Sequence, residues 1–221
     1  MQKNKAVSFG SIKNHLNSIY DSEKINTNLY ARKIKKLISD FNISNKLQKE
    51  FNWSEDTVLL ISYADSIYSS KKNNTLKTLK SFHKDFFDNV FDCVHILPFF
   101  PSSGDGGFSV MDHGEVDKKY GDWKDIKLYS KNKNIMADIV INHSSSKGIW
   151  FQNFLKGQEP GKNHFFIIED KFDTTNVIRT RDHNLSQRFK VNGTYKNLWC
   201  TFSEDQIDLN FKNPGVLLDF I

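Results

Sequence analysis

Short, nearly continuous apolar runs alternate with amphipathic stretches between residues 57 and 142. Thr57-Val58-Leu59-Leu60-Ile61-Ser62-Tyr63 has the pattern of a strand buried on both faces, as in a parallel sheet. Leu76, Leu79, Phe82, Phe86 and Phe87 follow at helical spacing and predict an amphipathic helix. Val94-His95-Ile96-Leu97-Pro98-Phe99-Phe100 is a second buried strand, with Pro98, which cannot donate to a ladder, at its carboxyl end. A loop from Pro101 to about Asp117 leads to a short helix near Asp122–Ser130. Ile135-Met136-Ala137-Asp138-Ile139-Val140-Ile141-Asn142 is a third strand. Strand, helix, strand, helix, strand is the rhythm of βαβ units, so the class is α/β with a parallel sheet.

The flanks read differently. Residues 1–56 are polar and helical, with Leu29, Ile34, Leu37, Ile38 and Phe41 at helical spacing and Asn26, Thr27 and Asn28 available as caps. From Ser144 to about Ser203 the chain is aromatic and polar without a clear period, the texture of an inserted subdomain. No internal repeat or low-complexity segment interrupts it. The expected organisation is a helical prefix at 1–56, sheet and helices at 57–147, an insert at 148–203, and a return to the first layer at 204–221.

Composition narrows the function classes. With 38% hydrophobic residues and 19 Phe in 221, the chain has enough apolar surface for a packed core. The net charge of +5 permits an anionic ligand. Its lysines and arginines are nevertheless interleaved with acids, and even the densest cluster, Lys33, Lys35 and Lys36, is followed by Asp40. No basic stripe with interleaved aromatics appears, so nucleic acid is not an expected partner. Cys93 and Cys200 match no metal-ligand spacing and read as reduced, buried thiols. The first residues carry charge but no apolar h-region, and every apolar run is too short to span a bilayer, so a soluble, cytoplasmic protein is expected.

Three segments carry candidate chemistry. Asp138-Ile139-Val140-Ile141-Asn142-His143 places three polar side chains at the end of the third strand, where parallel barrels carry their sites; Asn and Asp also commonly end strands for turn reasons alone. In Pro98-Phe99-Phe100-Pro101-Ser102-Ser103-Gly104-Asp105-Gly106-Gly107-Phe108, glycines let the backbone bend closely past a ligand. There a carboxylate beside an aromatic suits a sugar, the acid accepting from hydroxyls and the ring packing on C–H groups; a plain glycine-rich surface turn has the same composition. Gln206-Ile207-Asp208-Leu209-Asn210 closes the insert and is weak when taken alone.

In order and spacing these segments resemble glycoside hydrolase family 13, the α-amylase superfamily, and within it the sucrose phosphorylase subfamily. Tyr63-Ala64-Asp65, His95-Ile96-Leu97-Pro98-Phe99-Phe100, Gly121-Asp122-Trp123 and Thr201-Phe202-Ser203-Glu204-Asp205-Gln206 extend the likeness over about residues 53–221. The prefix resembles the branch holding sucrose 6-phosphate and glucosylglycerate phosphorylases. The resemblance implies an incomplete (β/α)8 TIM barrel, its first three strands present and a small subdomain inserted after strand 3. It implies a retaining glucosyltransferase passing glucose between an α-glucoside and inorganic phosphate through a covalent glucosyl-enzyme.

By position, Asp105 corresponds to the acid gripping the glucosyl group, Phe108 to the aromatic of that subsite and His143 to the sugar-binding histidine. Gln206 corresponds to a residue lining the site. Arg179 and Arg181 correspond to a loop pair of which one approaches phosphate, a task suited to a planar guanidinium; Arg181 is the candidate. The counterpart of Asp138 is structural. The resemblance puts the nucleophile and acid/base beyond Ile221, so no catalytic residue is assigned and turnover by these residues alone is not expected. No cofactor and no metal are expected, inorganic phosphate serving as co-substrate. An α-glucoside hydrolase of the same fold and a non-catalytic remnant are the alternatives. The acceptor and the oligomeric state are left open.

Overall fold

A computed structural model describes residues 7–21, 24–44, 53–70, 74–169, 171–179 and 181–221. In chain order the elements are α1 (Phe9–Ile19), α2 (Thr27–Ser44), β1 (Leu59–Ser62), α3 (Thr75–Phe87), β2 (Cys93–Ile96) and a 3-10 turn (Asp105–Gly107). They continue with α4 (Trp123–Tyr129), β3 (Asn134–Ala137), β4 (His143–Ser145), α5 (Ile149–Lys156) and β5 (Ile167–Ile168). The last are β6 (Ser186–Val191), β7 (Thr194–Trp199), β8 (Gln206–Asp208) and α6 (Pro214–Phe220). Two compact units result: Phe51–Leu209, and Met1–Glu50 together with Asn210–Ile221.

In the smaller unit α1, α2 and α6 share an apolar cluster of Ile12, Leu16, Tyr20, Ala31 and Ile34, with Leu217 and Leu218 packed against it. Ser8 caps α1, and Asn26 Oδ1 accepts the Leu29 N–H at 3.0 Å at the start of α2. The stripe that α2 buries is Ala31 and Ile34, while Leu29, Leu37 and Phe41 of the expected stripe are exposed. Residues 1–6, 22, 23 and 45–52 of the expected helical prefix lie outside the described residues.

The larger unit is built on a three-stranded sheet of order β1-β2-β3, parallel throughout, with Leu59 opposite Cys93 and Cys93 opposite Asn134. The strands are shorter than the apolar runs. β2 stops before Leu97-Pro98, and β3 stops at Ala137, so His143 does not end the third strand as expected. It opens the separate strand β4, which pairs antiparallel with β8. On α3 the buried positions are Leu76, Leu79 and His83; Phe86, which the sequence pattern put on the same stripe, is 68% exposed. Leu76, Leu79, Val94, Ile96, Phe99, Val110, Ile126 and Tyr129 form the centre of the core.

Asp125 joins the two helices at their N-termini. Its carboxylate accepts from Asn74 Nδ2 at 2.7 Å and from the Asp122 N–H at 3.2 Å, while Asn74 caps α3 and Asp122 caps α4. Residues 148–203 hold α5 and an antiparallel sheet of order β5-β7-β6. Phe151 packs edge-on against Phe165 and Phe189, and Leu198 of β7 is fully buried. Asn192 and Gly193, both with positive φ, form the two-residue turn joining β6 to β7. Cys93 and Cys200 are buried free thiols. Among the described residues no helix is long and apolar enough to cross a membrane, and no three His, Cys, Asp or Glu side chains are grouped to hold a metal ion.

Candidate functional site

The chain leaves β2, turns at Pro98 and enters a loop closed by a bridge between Ser102 and Val110. At its tip Asp105, Gly106 and Gly107 all have positive φ, at 53°, 60° and 102°. A Cβ on Gly107 would lie 2.4 Å from the Pro98 carbonyl oxygen, so only glycine fits there. This turn presents Asp105 outward and sets Phe108 partly against the core. Asp105 Oδ2 accepts from Gln206 Nε2 at 2.7 Å, and Gln206 is 1% exposed on β8.

His143, buried on β4, directs Nε2 to the Phe108 carbonyl oxygen at 2.9 Å and tilts its ring against Phe202. A carbonyl only accepts, so Nε2 carries the proton. Burial holds the His143 pKa below the usual histidine value, although the Phe108 hydrogen bond and the Asp208 and Asp105 carboxylates oppose it. The ring is therefore a neutral Nε2–H tautomer whose Nδ1 offers a lone pair. Nδ1 of His143 and Oε1 of Gln206 are buried, and neither meets a hydrogen-bond partner. Gln206 must turn its amide nitrogen to the Asp105 carboxylate, so its free oxygen is also an acceptor.

Asp105, Phe108, His143, Phe202 and Arg181 line one cleft of about 400 Å³, with Asp138 and Asn142 also on its wall. The fifth sequence candidate, Gln206, reaches it through Asp105. Arg179 and Arg181 part company: Arg181 lines the cleft, while Arg179 Nη1 lies 3.3 Å from His183 Nε2. Asp138 is held at 2.8 Å by His95 Nε2 from β2, which suits its expected structural part. Two features escaped the sequence reading. Phe202 is an aromatic in a polar segment, with nothing to single it out. Asp205 is surrounded by the hydroxyls of Ser103, Ser109, Ser145 and Ser146, brought from 59 to 102 residues away along the chain.

The cleft therefore brings together acceptors, two aromatic rings and a guanidinium. The chain is 37% identical over 196 residues to the glucosylglycerate phosphorylase of Escherichia coli, an alignment spanning 86% of this chain and 35% of that protein. It is 34% identical over 174 residues to the sucrose phosphorylase of Streptococcus mutans, covering 74% of this chain and 35% of that one. The crystal structure of sucrose 6F-phosphate phosphorylase from Thermoanaerobacter thermosaccharolyticum superposes with a TM-score of 0.67 at 33% identity, over 76% of this chain and 36% of that one. The chain thus spans about a third of the length of the relatives it matches. The family model for the alpha amylase catalytic domain matches residues 85–220, a span that takes in every residue lining the cleft, and the chain belongs to that family.

Proposed function

We propose that the cleft holds the glucosyl unit of a sucrose-like α-glucoside in a retaining glycoside phosphorylase, with inorganic phosphate as co-substrate and no cofactor or metal. One observation carries this reading: beside the Asn142 and Arg181 donors on its wall, the cleft and its backing hold a carboxylate and two buried acceptors that meet no protein donor. Asp105 as a carboxylate, His143 Nδ1 and Gln206 Oε1 can all accept and none can donate. A ligand that satisfies them must bring several O–H donors, and its C–H faces must tolerate Phe108 and Phe202. A hexose does both. Arg181 at the edge supplies donors for phosphate, with a planar fork that matches two of its oxygens.

In this reading β1, β2 and β3 are the first three strands of a (β/α)8 barrel, 148–203 is the inserted subdomain and 204–221 the return to the barrel. The sequential parallel order and the right spacing of α3 and α4 between strands support it. None of the 221 residues is assigned as nucleophile or acid/base; Asp105 and Asp138 bind and position.

The test is an NMR titration of the chain with methyl α-glucoside and, separately, with inorganic phosphate. Each sugar hydrogen bond contributes roughly 0.5–1.5 kcal/mol net. Three acceptors therefore predict a dissociation constant no tighter than about millimolar. Shifts centred on Asp105, Phe108 and His143 are expected for the glucoside, and on Arg181 for phosphate. Shifts confined to residues remote from the cleft, or none at high millimolar sugar, would overturn the assignment.

A further inference from the structure

Asp205 is not among the residues lining the cleft, yet it bonds to the two segments that carry Asp105, Phe108 and His143. Its Oδ2 accepts from Ser103 Oγ and from Ser109 Oγ, the latter at 2.7 Å. Ser145 Oγ lies at 3.3 Å from the same oxygen, and Oδ1 accepts from Ser146 Oγ. Ser103 and Ser109 are the two sides of the stem whose tip is Asp105–Phe108, and they are joined to each other by the Ser103 N–H to Ser109 carbonyl bond at 3.0 Å. Ser145 and Ser146 follow His143 by two and three residues. Gln206 is the next residue in the chain, and the Ser146 N–H donates to the Asp205 carbonyl at 2.8 Å.

We propose that Asp205 is the positioning residue of the cleft, its carboxylate fixing the Asp105–Phe108 turn, the His143 strand and Gln206 in one register. The inference rests on reading the cleft as a glucosyl site. Its physical basis is saturation. Both carboxylate oxygens are engaged by internal hydroxyls, Oδ2 by Ser103 and Ser109 and Oδ1 by Ser146, with Ser145 close to both, so its lone pairs are directed at the protein rather than at a ligand. The turn it clamps needs a clamp, because Asp105, a residue with a Cβ, is held at positive φ ahead of two positive-φ glycines. The carboxylate is also the ionised form that four donors favour. Burial alone would raise its pKa, but the Ser103, Ser146 and Ser109 hydroxyls outweigh burial and leave it lowered.

The fold holds a control. Asp125, a buried carboxylate, also accepts from internal donors, Asn74 Nδ2 and the Asp122 N–H, but it joins α3 to α4 and no cleft residue. In the unliganded 221-residue chain, amide hydrogen exchange is compared for wild type, Asp205→Asn, Asp205→Ala and Asp125→Ala. Asp205→Ala is expected to speed exchange of the Gly107 and Phe108 amides at least about tenfold, the loss of one net hydrogen bond's worth of protection. Asp205→Asn, which keeps one acceptor oxygen, falls between. Asp125→Ala lowers the melting temperature but leaves Gly107 and Phe108 protected. Methyl α-glucoside affinity should follow the same order, falling about tenfold in Asp205→Ala and not at all in Asp125→Ala.

Unchanged exchange at Gly107 and Phe108 in Asp205→Ala overturns the inference, as does an equal loss in Asp125→Ala. Should Asp205→Ala not fold, Ser103→Ala and Ser146→Ala each remove a single hydroxyl and must show the same local change. Wild type that fails to bind sugar while the exchange pattern appears as expected sinks the glucosyl reading and leaves the clamp standing.

Discussion

The α3–α4 junction and the stem of the cleft loop solve the same physical problem with opposite consequences. Each surrounds a carboxylate with internal donors, and each contains a glycine of positive φ. At the junction Asp125 is met by an amide and a backbone N–H, and a Cβ on Gly121 would fall 2.4 Å from the Asp125 side chain. At the stem Asp205 is met by hydroxyls, and the glycine, Gly107, abuts backbone at Pro98. The junction's partners belong to elements that only pack. The stem's partners lie next to Asp105, Phe108 and His143. The same device thus yields stability at the buried Asp125 and ligand geometry at the partly exposed Asp205.

The largest expected break comes from the glycines. Gly107→Ala forces a strained φ and a clash with backbone, and should lower unfolding free energy by about 1–3 kcal/mol while abolishing detectable glucoside binding. Gly121→Ala, also at positive φ, crowds the Asp125 carboxylate and the Asn74 amide, and should cost a similar amount of stability with binding intact. Chemical denaturation paired with the sugar titration separates them; equal loss of binding in both would erase the distinction.

Acid should act on both regions but be read differently in each. His143 beside the stem and His83 on α3 are both lowered by burial, His83 also by nearby Lys133. Below the ordinary histidine value near 6.5 the unfolded chain takes up protons that the folded one refuses, so stability must fall as pH drops through that window. Asp205 is shifted in the same direction, and acid costs it too, but in a lower window: its contribution is complete above the ordinary carboxylate range and is lost only as pH falls through its lowered value. Chemical denaturation at pH 7.5 and 5.5 should show the lower stability at the lower pH. Stability that rose on acidification would contradict the buried neutral assignment.

The smallest effect belongs to the exposed arginines. Arg181→Ala should weaken phosphate binding by about twofold to fivefold, as exposed charge contacts contribute under about 1 kcal/mol, and Arg179→Ala should leave it unchanged. Inorganic phosphate titrations of both variants check the pairing.

The strands of the sheet were legible because continuous apolar runs such as Val94–Leu97 have no polar face to offer solvent. Their ends were not, since the run carries on through Pro98 and Phe99 after pairing has stopped. The insert was harder to read. Its helix has only 8 residues, and its clearest signal, Asn192-Gly193 between two alternating runs, was overlooked. Asp105, Phe108 and His143 stood out because acids and aromatics among glycines, or at a strand end, are locally unusual. Asp205 had no local signature: its meaning depends on serines 59 to 102 residues away, each of which reads in sequence as an ordinary turn residue.

The two cysteines stand as internal clocks for these regions. Cys93 lies in β2 of the parallel sheet, and Cys200 directly follows β7 in the insert. Burial raises the Cys93 pKa and pushes that of Cys200 up to about 12. Only a thiolate attacks an alkylating reagent, so both are inert while their surroundings stay closed. Each labelling event therefore records an opening, and the ratio of the two rates tells whether sheet and insert open as one cooperative body or separately.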